Sequence, residues 1–204
     1  MNKYHKKNIK AYNKKASDYD NTLDGKLTEK FKSLLLGAVD VKDGDSVLDI
    51  GCGNGTLLSR IAKIKSIRGF GTDISPEMVK NATARHPQLE FVASGCDNIP
   101  FDDNSMDIIT VCAAYHHFPN IKSFAAEAKR LLKENGNLYI AEIYLPPVIR
   151  HIANIFLPLS KSGDVRLYSP KEIIDTFSDT DTRFRFVKST ITGHIQVIHF
   201  LFLP

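Results

Sequence analysis

The order of strand-like and helix-like segments in this 204-residue chain predicts an α/β fold, a three-layer sandwich with helices on both faces of a mostly parallel, seven-stranded sheet. From about residue 45, short apolar runs alternate with segments of helical spacing, which is typical of parallel strands joined by helices. Two β-rich runs, 184–192 and 195–203, then follow each other directly. Gly193 between them permits a tight turn, so they are expected to form an antiparallel C-terminal hairpin.

Five further apolar segments are expected to form the parallel strands. Each is short, and a turn rich in glycine, proline or polar residues comes after it. In sheets of this kind a ligand binds at the carboxyl ends of the strands, where the strand order reverses. The expected bounds are 46–50, 67–72, 89–93, 106–114 and 137–143.

The helices are predicted from apolar spacing and from capping residues. Ser75 can cap a helix, Pro76 suits its first position and Glu77 suits its first turn, and this helix is expected to end before Pro87. The turn 134–136 should end another helix. The other helices are expected at 9–19, 27–38, 55–64 and 124–132, and from Ser169 onward.

Charge and cysteine content exclude several classes of protein. The three cysteines lie far apart and outside C-x-x-C spacing, so neither a disulfide framework nor a cysteine zinc site is expected. The net charge of +4 comes largely from lysines before residue 16, interpreted as a solvated helix face rather than a nucleic-acid or membrane patch. No apolar run approaches the roughly 18 residues of a spanning helix, and no secretory signal is evident. A soluble, cytoplasmic protein is therefore expected.

The most specific motif is the glycine-rich turn in residues 47–55, where an apolar strand runs into a helix. Gly51, Gly53 and Gly55 alternate there, which lets a ligand approach the backbone closely. The free N–H groups at the start of the next helix suit an anion, either a carboxylate or a phosphate. A dinucleotide fingerprint would need a glycine in place of Thr56, so the spacing argues against that class.

A carboxylate follows the second strand. Asp73 stands eighteen residues after Gly55 and is followed by Ile74. A carboxylate at this place can accept both hydroxyl groups of a ribose. The alternative is a simple helix cap.

Taken with Asp49 at the end of the first strand, these motifs resemble the class I methyltransferases that use S-adenosylmethionine (SAM). Residues 94–107 are similar to the small-molecule, quinone-biosynthesis-like group of that family. The resemblance implies a Rossmann-like fold, SAM as cofactor and S-adenosylhomocysteine (SAH) as product, with Asp73 on the ribose and Ile74 against the adenine. The cofactor residues that it implies around the turn are Asp49, Gly51, Cys52, Gly53, Gly55, Asp73 and Ile74.

The segment after the third strand departs from the family pattern. Aligned on residues 99–101, the family aspartate that meets the adenine amino group falls on Gly95. We expect the backbone N–H of Cys96 and the side chain of Asp97 to read the adenine edge instead. Alternatively, Asp97 is a solvent-exposed acidic residue of a turn and does not contact the adenine.

The end of the fourth strand is where a methyl acceptor would meet the sulfonium. Ala113 and Ala114 leave room there. His116 or His117 could act as a general base toward an acceptor hydroxyl, or serve only as a packing or hydrogen-bonding group. No metal is expected, because further zinc ligands cannot be placed and the acids at 102–107 lack the spacing of a calcium loop.

Three tyrosines are expected to line the acceptor pocket. Tyr12 and Tyr19 lie in an N-terminal helix that resembles the family segment covering the cofactor, and Tyr115 lies beside the two histidines. The apolar stretch 149–159 is interpreted as a lid. Ordinary core packing is the alternative for all of these.

The chain is expected to form one domain, 1–204, with an N-terminal helical cap (1–40), a cofactor-binding core (45–143) and a lid segment with the C-terminal hairpin (144–204). The predicted function is methyl transfer to a small-molecule acceptor by in-line displacement. A non-catalytic SAM-binding protein and an NAD-dependent oxidoreductase are the alternatives. Nucleic acid is not the expected partner, because residues 114–117 lack the Asn/Asp-Pro-Pro-Tyr/Phe motif of adenine methyltransferases. The sequence does not predict the acceptor atom or the oligomeric state.

Overall fold

A computed structural model describes residues 3–204 and contains one sheet of seven strands in the order β3-β2-β1-β4-β5-β7-β6. The first five strands pair in parallel, and β7 pairs antiparallel with both β5 and β6. This arrangement confirms the predicted α/β fold. The strands are β1 (Ser46–Ile50), β2 (Arg68–Asp73), β3 (Glu90–Ala93), β4 (Met106–Cys112), β5 (Leu132–Ile143), β6 (Phe184–Thr192) and β7 (Ile195–Phe202).

Seven α-helices and three short 3₁₀ helices join or cover these strands in the described chain. Ser75 caps one helix through the backbone N–H of Met78, and Ser169 and Glu172 form a reciprocal capping box at another. The α-helices are α1 (Lys3–Lys15), α2 (Leu23–Ala38), α3 (Thr56–Ile64), α4 (Pro76–Arg85), α5 (Ile121–Leu131), α6 (Pro147–Phe156) and α7 (Pro170–Thr180). The 3₁₀ helices are Ala16–Asn21, Tyr115–His117 and Leu157–Leu159.

The strand order reverses between β1 and β4, which are neighbours in the sheet. A crevice therefore opens at the carboxyl ends of these two strands. At the far end of the sheet, Thr192 pairs with Ile195 and Gly193 has a φ of +60°, as the predicted hairpin turn requires.

Several predicted boundaries differ from the structure by one to six residues, and three of the differences change the local backbone. Strand β5 begins at Leu132, which pairs with Met106, and the register then shifts across the predicted turn, where Asn135 has a φ of +63°. Strand β4 ends two residues early because Ala113 takes a φ of +52° and turns the chain out of the strand. The first predicted helix starts earlier, at Lys3, and tightens after Lys15 into a 3₁₀ helix.

The core lies on both faces of the sheet and holds the strand ends in place. On one face, Phe124 of α5 and Phe177 of α7 pack against Phe200 of β7, and all three are fully buried. Burying a side chain of this size contributes roughly 1.5–3 kcal/mol. The other face is covered by α2 and α3. Both layers leave the carboxyl ends of the strands open.

Helix α6 is unlike the others, because it buries none of its residues. Its apolar side chains Val148, Ile149 and Ile152 are 72%, 54% and 51% exposed. The predicted lid segment thus begins as a helix whose apolar side faces outward. Among residues 3–204, no helix combines the length and apolarity needed to cross a membrane.

Candidate functional site

A cleft opens where the strand order reverses. Its walls come from the ends of β1, β2 and β4, from the segment after β3, and from α1 with the 3₁₀ helix that follows it. Elements that are distant in the sequence therefore meet around one space. The lining residues are His5, Asn8, Tyr12, Tyr19, Ile50, Gly51, Gly53, Asp73, Ile74, Met78, Ser94, Cys96, Cys112, Ala113, Ala114, His117, Phe118 and Pro119.

The glycine turn forms the floor of the cleft. The backbone N–H groups of Gly51 and Cys52 both donate to the carbonyl of Thr72, at 2.7 and 2.9 Å, and so tie the turn to β2. Gly51 has a φ of +75°, and a Cβ atom there would lie 2.5 Å from the Cβ of Ala114. Gly53 has a φ of +53°, and a Cβ there would meet nothing within 4 Å. The turn thus needs glycine for its conformation and leaves open space above Gly53.

The start of α3 supplies unpaired backbone donors beside this turn. Gly55 is its N-cap residue, and no side chain accepts a hydrogen bond from the first turn. The N-terminal end of a helix carries a partial positive charge and free N–H groups, which together favour a carboxylate or phosphate. This end of the cleft can therefore hold an anionic group.

Asp73 lines the cleft at the end of β2, and both of its oxygens already accept one backbone hydrogen bond. The N–H of Gly53 donates to Oδ2 at 2.9 Å and the N–H of Ser75 donates to Oδ1 at 2.8 Å. Burial raises the pKa of this carboxyl group, and the two backbone donors oppose that effect. Each carboxylate oxygen keeps further acceptor capacity, enough for the two hydroxyl groups of a ribose.

Two residues expected in the cofactor site stand behind its wall. Asp49 is 1% exposed, and the hydroxyl of Thr110 donates to its Oδ1 at 2.8 Å. Burial raises the pKa of Asp49 to about 7. The side chain of Cys52 is also buried, and burial raises the pKa of its thiol. Neither residue lines the cleft, so both support the glycine turn from beneath.

The other wall comes from the segment after β3 and from α4. Ile74, Met78 and Cys96 line it with apolar side chains. Ser94 adds a buried hydroxyl that has no hydrogen-bond partner among the described residues. Asp97 is exposed and does not line the cleft. Its side chain lies over Gly95, where a Cβ atom would be 3.0 Å from Oδ1 of Asp97. Sequence reasoning did not assign Ser94 or Met78 to the site, although Ser94 opens the segment 94–107 and Met78 lies in the first turns of the predicted helix after Ser75.

The N-terminal segment closes the cleft from above. Tyr12 and Tyr19 line it, as the sequence predicts. Asp20 joins this segment to the glycine turn, because it accepts a hydrogen bond from the side-chain amide of Asn54 at 2.6 Å. The guanidinium of Arg85 donates to its other oxygen at 2.6 Å. Asp20 is thus a bridge among the N-terminal cap, the turn and α4.

His117 lines the cleft at the end of β4 and sits between two polar groups. Its Nε2 lies 2.9 Å from the hydroxyl of Tyr12. Its Nδ1 lies 3.1 Å from Oδ1 of Asp164, without the alignment of a hydrogen bond. The backbone of Gly163 also interacts with this ring. Burial and the neighbouring His116 hold the pKa of His117 well below its usual range.

His116 points away from the cleft and into a buried carboxylate. Its Nδ1 lies 2.8 and 2.9 Å from the two oxygens of Glu142, a residue with no exposed surface. Its Nε2 lies 3.6 Å from Oδ1 of Asp164. Burial opposes the charged form of His116, but the two carboxylates outweigh it and raise the pKa.

Tyr115 is placed differently from the sequence expectation. It has no exposed surface and its ring packs against Phe118, Phe124 and Tyr168. The 3₁₀ helix after β4 directs this side chain into the core and His117 into the cleft, so Tyr115 gives no wall to the cleft. Sequence reasoning missed the two carboxylates near the histidines, because no motif surrounds Glu142 or Asp164.

The cluster of His116, His117 and Asp164 has the donor atoms of a metal site. One ligand atom from each residue lies within 4.8 Å of the other two. The cluster stands behind the acceptor end of the cleft, where His117 belongs to both.

Comparisons with known proteins agree with this architecture. A family model described as a methyltransferase domain matches residues 48–140. A demethylmenaquinone methyltransferase of Paenarthrobacter aurescens is 32% identical over 157 residues, which are 72% of this chain and 62% of that protein. This chain spans from 34% to 62% of the length of five curated relatives, three of which are named demethylmenaquinone methyltransferases.

Solved structures share the fold over most of the chain. A chain from the complex between the Haloferax volcanii Trm112 methyltransferase activator and a methyltransferase superposes with a TM-score of 0.81 at 22% identity, covering 95% of this chain and 98% of that one. A SAM-dependent methyltransferase from Aquifex aeolicus superposes with a TM-score of 0.73 at 21% identity, covering 94% and 98%.

The fold is thus shared with solved methyltransferase structures, and residues 48–140 match the methyltransferase-domain model. The relatives that share this similarity include proteins named demethylmenaquinone methyltransferases.

Proposed function

We propose that this chain binds SAM in the cleft and transfers its methyl group to a small-molecule acceptor. The observation that carries the proposal is the pairing of Asp73 with the glycine turn at the point where the strand order reverses. Such a crevice suits a nucleoside ligand whose ribose meets the acid and whose charged end meets the helix start.

The residues present fit the parts of SAM. The free N–H groups of α3 and the open space at Gly53 suit the carboxylate of its methionine portion. Asp73 suits the ribose, and Ile74 with Met78 offers an apolar surface for the adenine. The unpartnered hydroxyl of Ser94 and the backbone N–H of Cys96 are the proposed readers of the adenine edge, because Asp97 lies outside the cleft.

The acceptor is proposed to occupy the part of the cleft between β4 and α1. Small or apolar residues line this part at Ala113, Ala114 and Phe118, while Tyr12 and His117 form its polar end. This mixture suits an apolar or aromatic molecule that carries one ionisable group. The names of the demethylmenaquinone methyltransferases among the relatives support an acceptor of this kind.

Methyl transfer from a sulfonium is an in-line displacement. The acceptor lone pair must come within roughly 3–3.5 Å of the methyl carbon, opposite the leaving sulfur. Positioning therefore supplies most of the catalysis. Where the acceptor must also lose a proton, we propose that the proton leaves toward His117 and Tyr12 at the polar end of the cleft. A cytoplasmic location and a single domain over 1–204 also stay predictions.

Calorimetric titration with SAM and SAH tests the cofactor site. We expect micromolar binding by the wild-type protein, a ~8 kcal/mol event, and at least tenfold weaker binding by Asp73→Asn. Asp179→Asn is the matched control, since Asp179 is exposed on α7. No binding of SAM by folded wild-type protein would overturn the proposal, and tighter binding of NAD would favour an oxidoreductase.

Transfer itself is tested with methyl-labelled SAM and a panel of quinols, phenols and other small acceptors. Product formation by wild type, and its loss in Asp73→Asn, would support the enzyme. SAM binding without transfer to any acceptor in a broad panel would favour a non-catalytic SAM-binding protein.

A further inference from the structure

The polar cluster behind the acceptor end of the cleft holds more negative charge than its protein partners balance. Glu142 is fully buried and Asp164 is mostly buried, with its side chain 16% exposed. No lysine or arginine within residues 3–204 forms an ion pair with either carboxylate, and their ionic partners are the imidazoles of His116 and His117. If one histidine is protonated, the two carboxylates still leave a net charge of −1. A buried charge without a partner is unfavourable, because it has lost its hydration.

Two of the three separations between the inner donor atoms match a metal coordination sphere, and the three residues offer ligand atoms that all lie within 4.8 Å of one another. Oδ1 of Asp164 lies 3.1 Å from Nδ1 of His117 and 3.6 Å from Nε2 of His116. Two ligands about 2.1 Å from a tetrahedral ion lie about 3.4 Å apart. In addition, Nδ1 of His117 is buried and forms no well-aligned hydrogen bond among the described residues, although the backbone of Gly163 interacts with this ring.

Outer hydrogen bonds orient both rings for this role. Glu142 accepts from Nδ1 of His116, which leaves Nε2 of that ring as the free donor atom. The hydroxyl of Tyr12 lies 2.9 Å from Nε2 of His117 and can accept a hydrogen bond from an N–H there, which leaves Nδ1 without a proton. A carboxylate or hydroxyl on the far nitrogen of each histidine is the usual outer shell of a metal site.

The segment that carries Asp164 is also fixed in place. The N–H of Val165 donates to the carbonyl of His116 at 2.8 Å, and the ammonium of Lys7 donates to the carbonyl of Ser160 at 3.1 Å. Gly163, with a φ of +80°, packs so closely on α1 that a Cβ would lie 2.8 Å from the carbonyl oxygen of Tyr4. The carboxylate is thus held beside the histidines by contacts that do not involve it.

We propose that His116 Nε2, His117 Nδ1 and Asp164 Oδ1 bind one divalent transition-metal ion of the zinc type. Two imidazoles and one carboxylate favour zinc, cobalt or iron over magnesium and calcium, which prefer oxygen ligands alone. The sequence predicted no metal because it offered no third ligand, and Asp164 supplies one from a loop 47 residues after His117.

The site has one open coordination position if its geometry is tetrahedral, and His117 lies on the wall of the cleft. If the proposed methyl transfer is correct, such an ion would act as a Lewis acid toward an oxygen of the acceptor. The binding of the metal does not depend on that role, so the two proposals fail separately.

Cobalt titration tests the site, because Co²⁺ replaces zinc and absorbs visible light according to its ligands. Tag-free protein is stripped with a chelator, dialysed and titrated with CoCl₂. We expect saturation at one equivalent and the intense visible band of a four- or five-coordinate ion, which one equivalent of ZnCl₂ abolishes. Absence of that band, or saturation only with excess metal, would overturn the proposal and leave a protonated His116 bridging two carboxylates.

Substitution of the proposed ligands tests which residues bind the metal ion. Asp164→Asn and His117→Ala should each weaken cobalt binding at least tenfold, whereas the exposed control substitutions Asp179→Asn and His151→Ala should leave it unchanged. Unchanged binding in the Asp164 and His117 variants would overturn the assignment. SAH titration of the same samples reports folding independently: SAH binding without a cobalt band refutes the metal site and leaves the proposed function intact.

Discussion

The two halves of the cleft are built in different ways. The cofactor half consists of the glycine turn, Asp73 and the segment after β3, all from one continuous stretch, and backbone N–H groups hold its acid in place. The acceptor half joins Tyr12, the His116–His117 pair, Glu142 and Asp164, which come from four separate parts of the chain. The first half is thus a local motif, and the second exists only in the folded chain.

This contrast predicts that loss of a buried carboxylate in the acceptor half costs the most stability. Replacement of Glu142 by alanine leaves His116 buried without its partner, and breaking a buried ion pair typically costs 3–5 kcal/mol, so we expect a loss of about that size. Urea unfolding followed by circular dichroism measures it. The exposed Glu134→Ala is the control. A loss below about 1 kcal/mol would show that the pair does not matter for folding.

The next largest effect concerns Asp49, which lies under the cofactor half. Its folded-state pKa of about 7 exceeds that of an unfolded aspartate, so the unfolded chain releases this proton first as the pH rises. Stability from this group is therefore full below about pH 4, falls between pH 4 and 7 and is constant above. The total loss is about 4 kcal/mol, since the shift is about three pKa units and each unit corresponds to about 1.4 kcal/mol. Asp49→Asn should remove this pH dependence. The free energy of unfolding is measured against pH for the wild-type protein and for Asp49→Asn, and equal slopes between pH 4 and 7 would contradict the account.

A third prediction joins the two halves where their backbones touch. Gly51→Ala should cost about 1–3 kcal/mol, because the new Cβ meets Ala114 and the backbone keeps a positive φ. It should also weaken SAH binding. Adding Ala114→Gly removes the collision but not the strained φ, so it should restore only part of the stability. If the double variant is no more stable than Gly51→Ala, the contact with Ala114 is not the cause of the lost stability.

The smallest expected effect is at Asp20, which links the N-terminal cap to the glycine turn. Asp20→Asn weakens exposed ionic contacts with Arg85, and such contacts contribute under ~1 kcal/mol. We expect SAH binding about threefold weaker and little change in stability. Asp18→Asn, an exposed acid in the same 3₁₀ helix, is the calorimetric control. Equal effects of both variants would show that the bridge to Asn54 has no specific role.

The same contrast explains how much could be read from the sequence. The glycine turn, Asp73 and the hairpin at Gly193 were predictable because each depends on neighbours in the chain and on backbone conformation. The role of Asp164 was not, because its loop carries no motif and reaches the histidines only through packing on α1 and a hydrogen bond from Val165. Tyr115 was misplaced for a related reason, since nothing local distinguishes the inward side of the 3₁₀ helix from its cleft side.

A crystal structure of the protein with SAH tests the central claim most directly. The account predicts the ribose hydroxyls on Asp73, the methionine carboxylate at the start of α3, and the sulfur facing the space between Ala113 and His117. SAH bound elsewhere, or with its ribose away from Asp73, would contradict it.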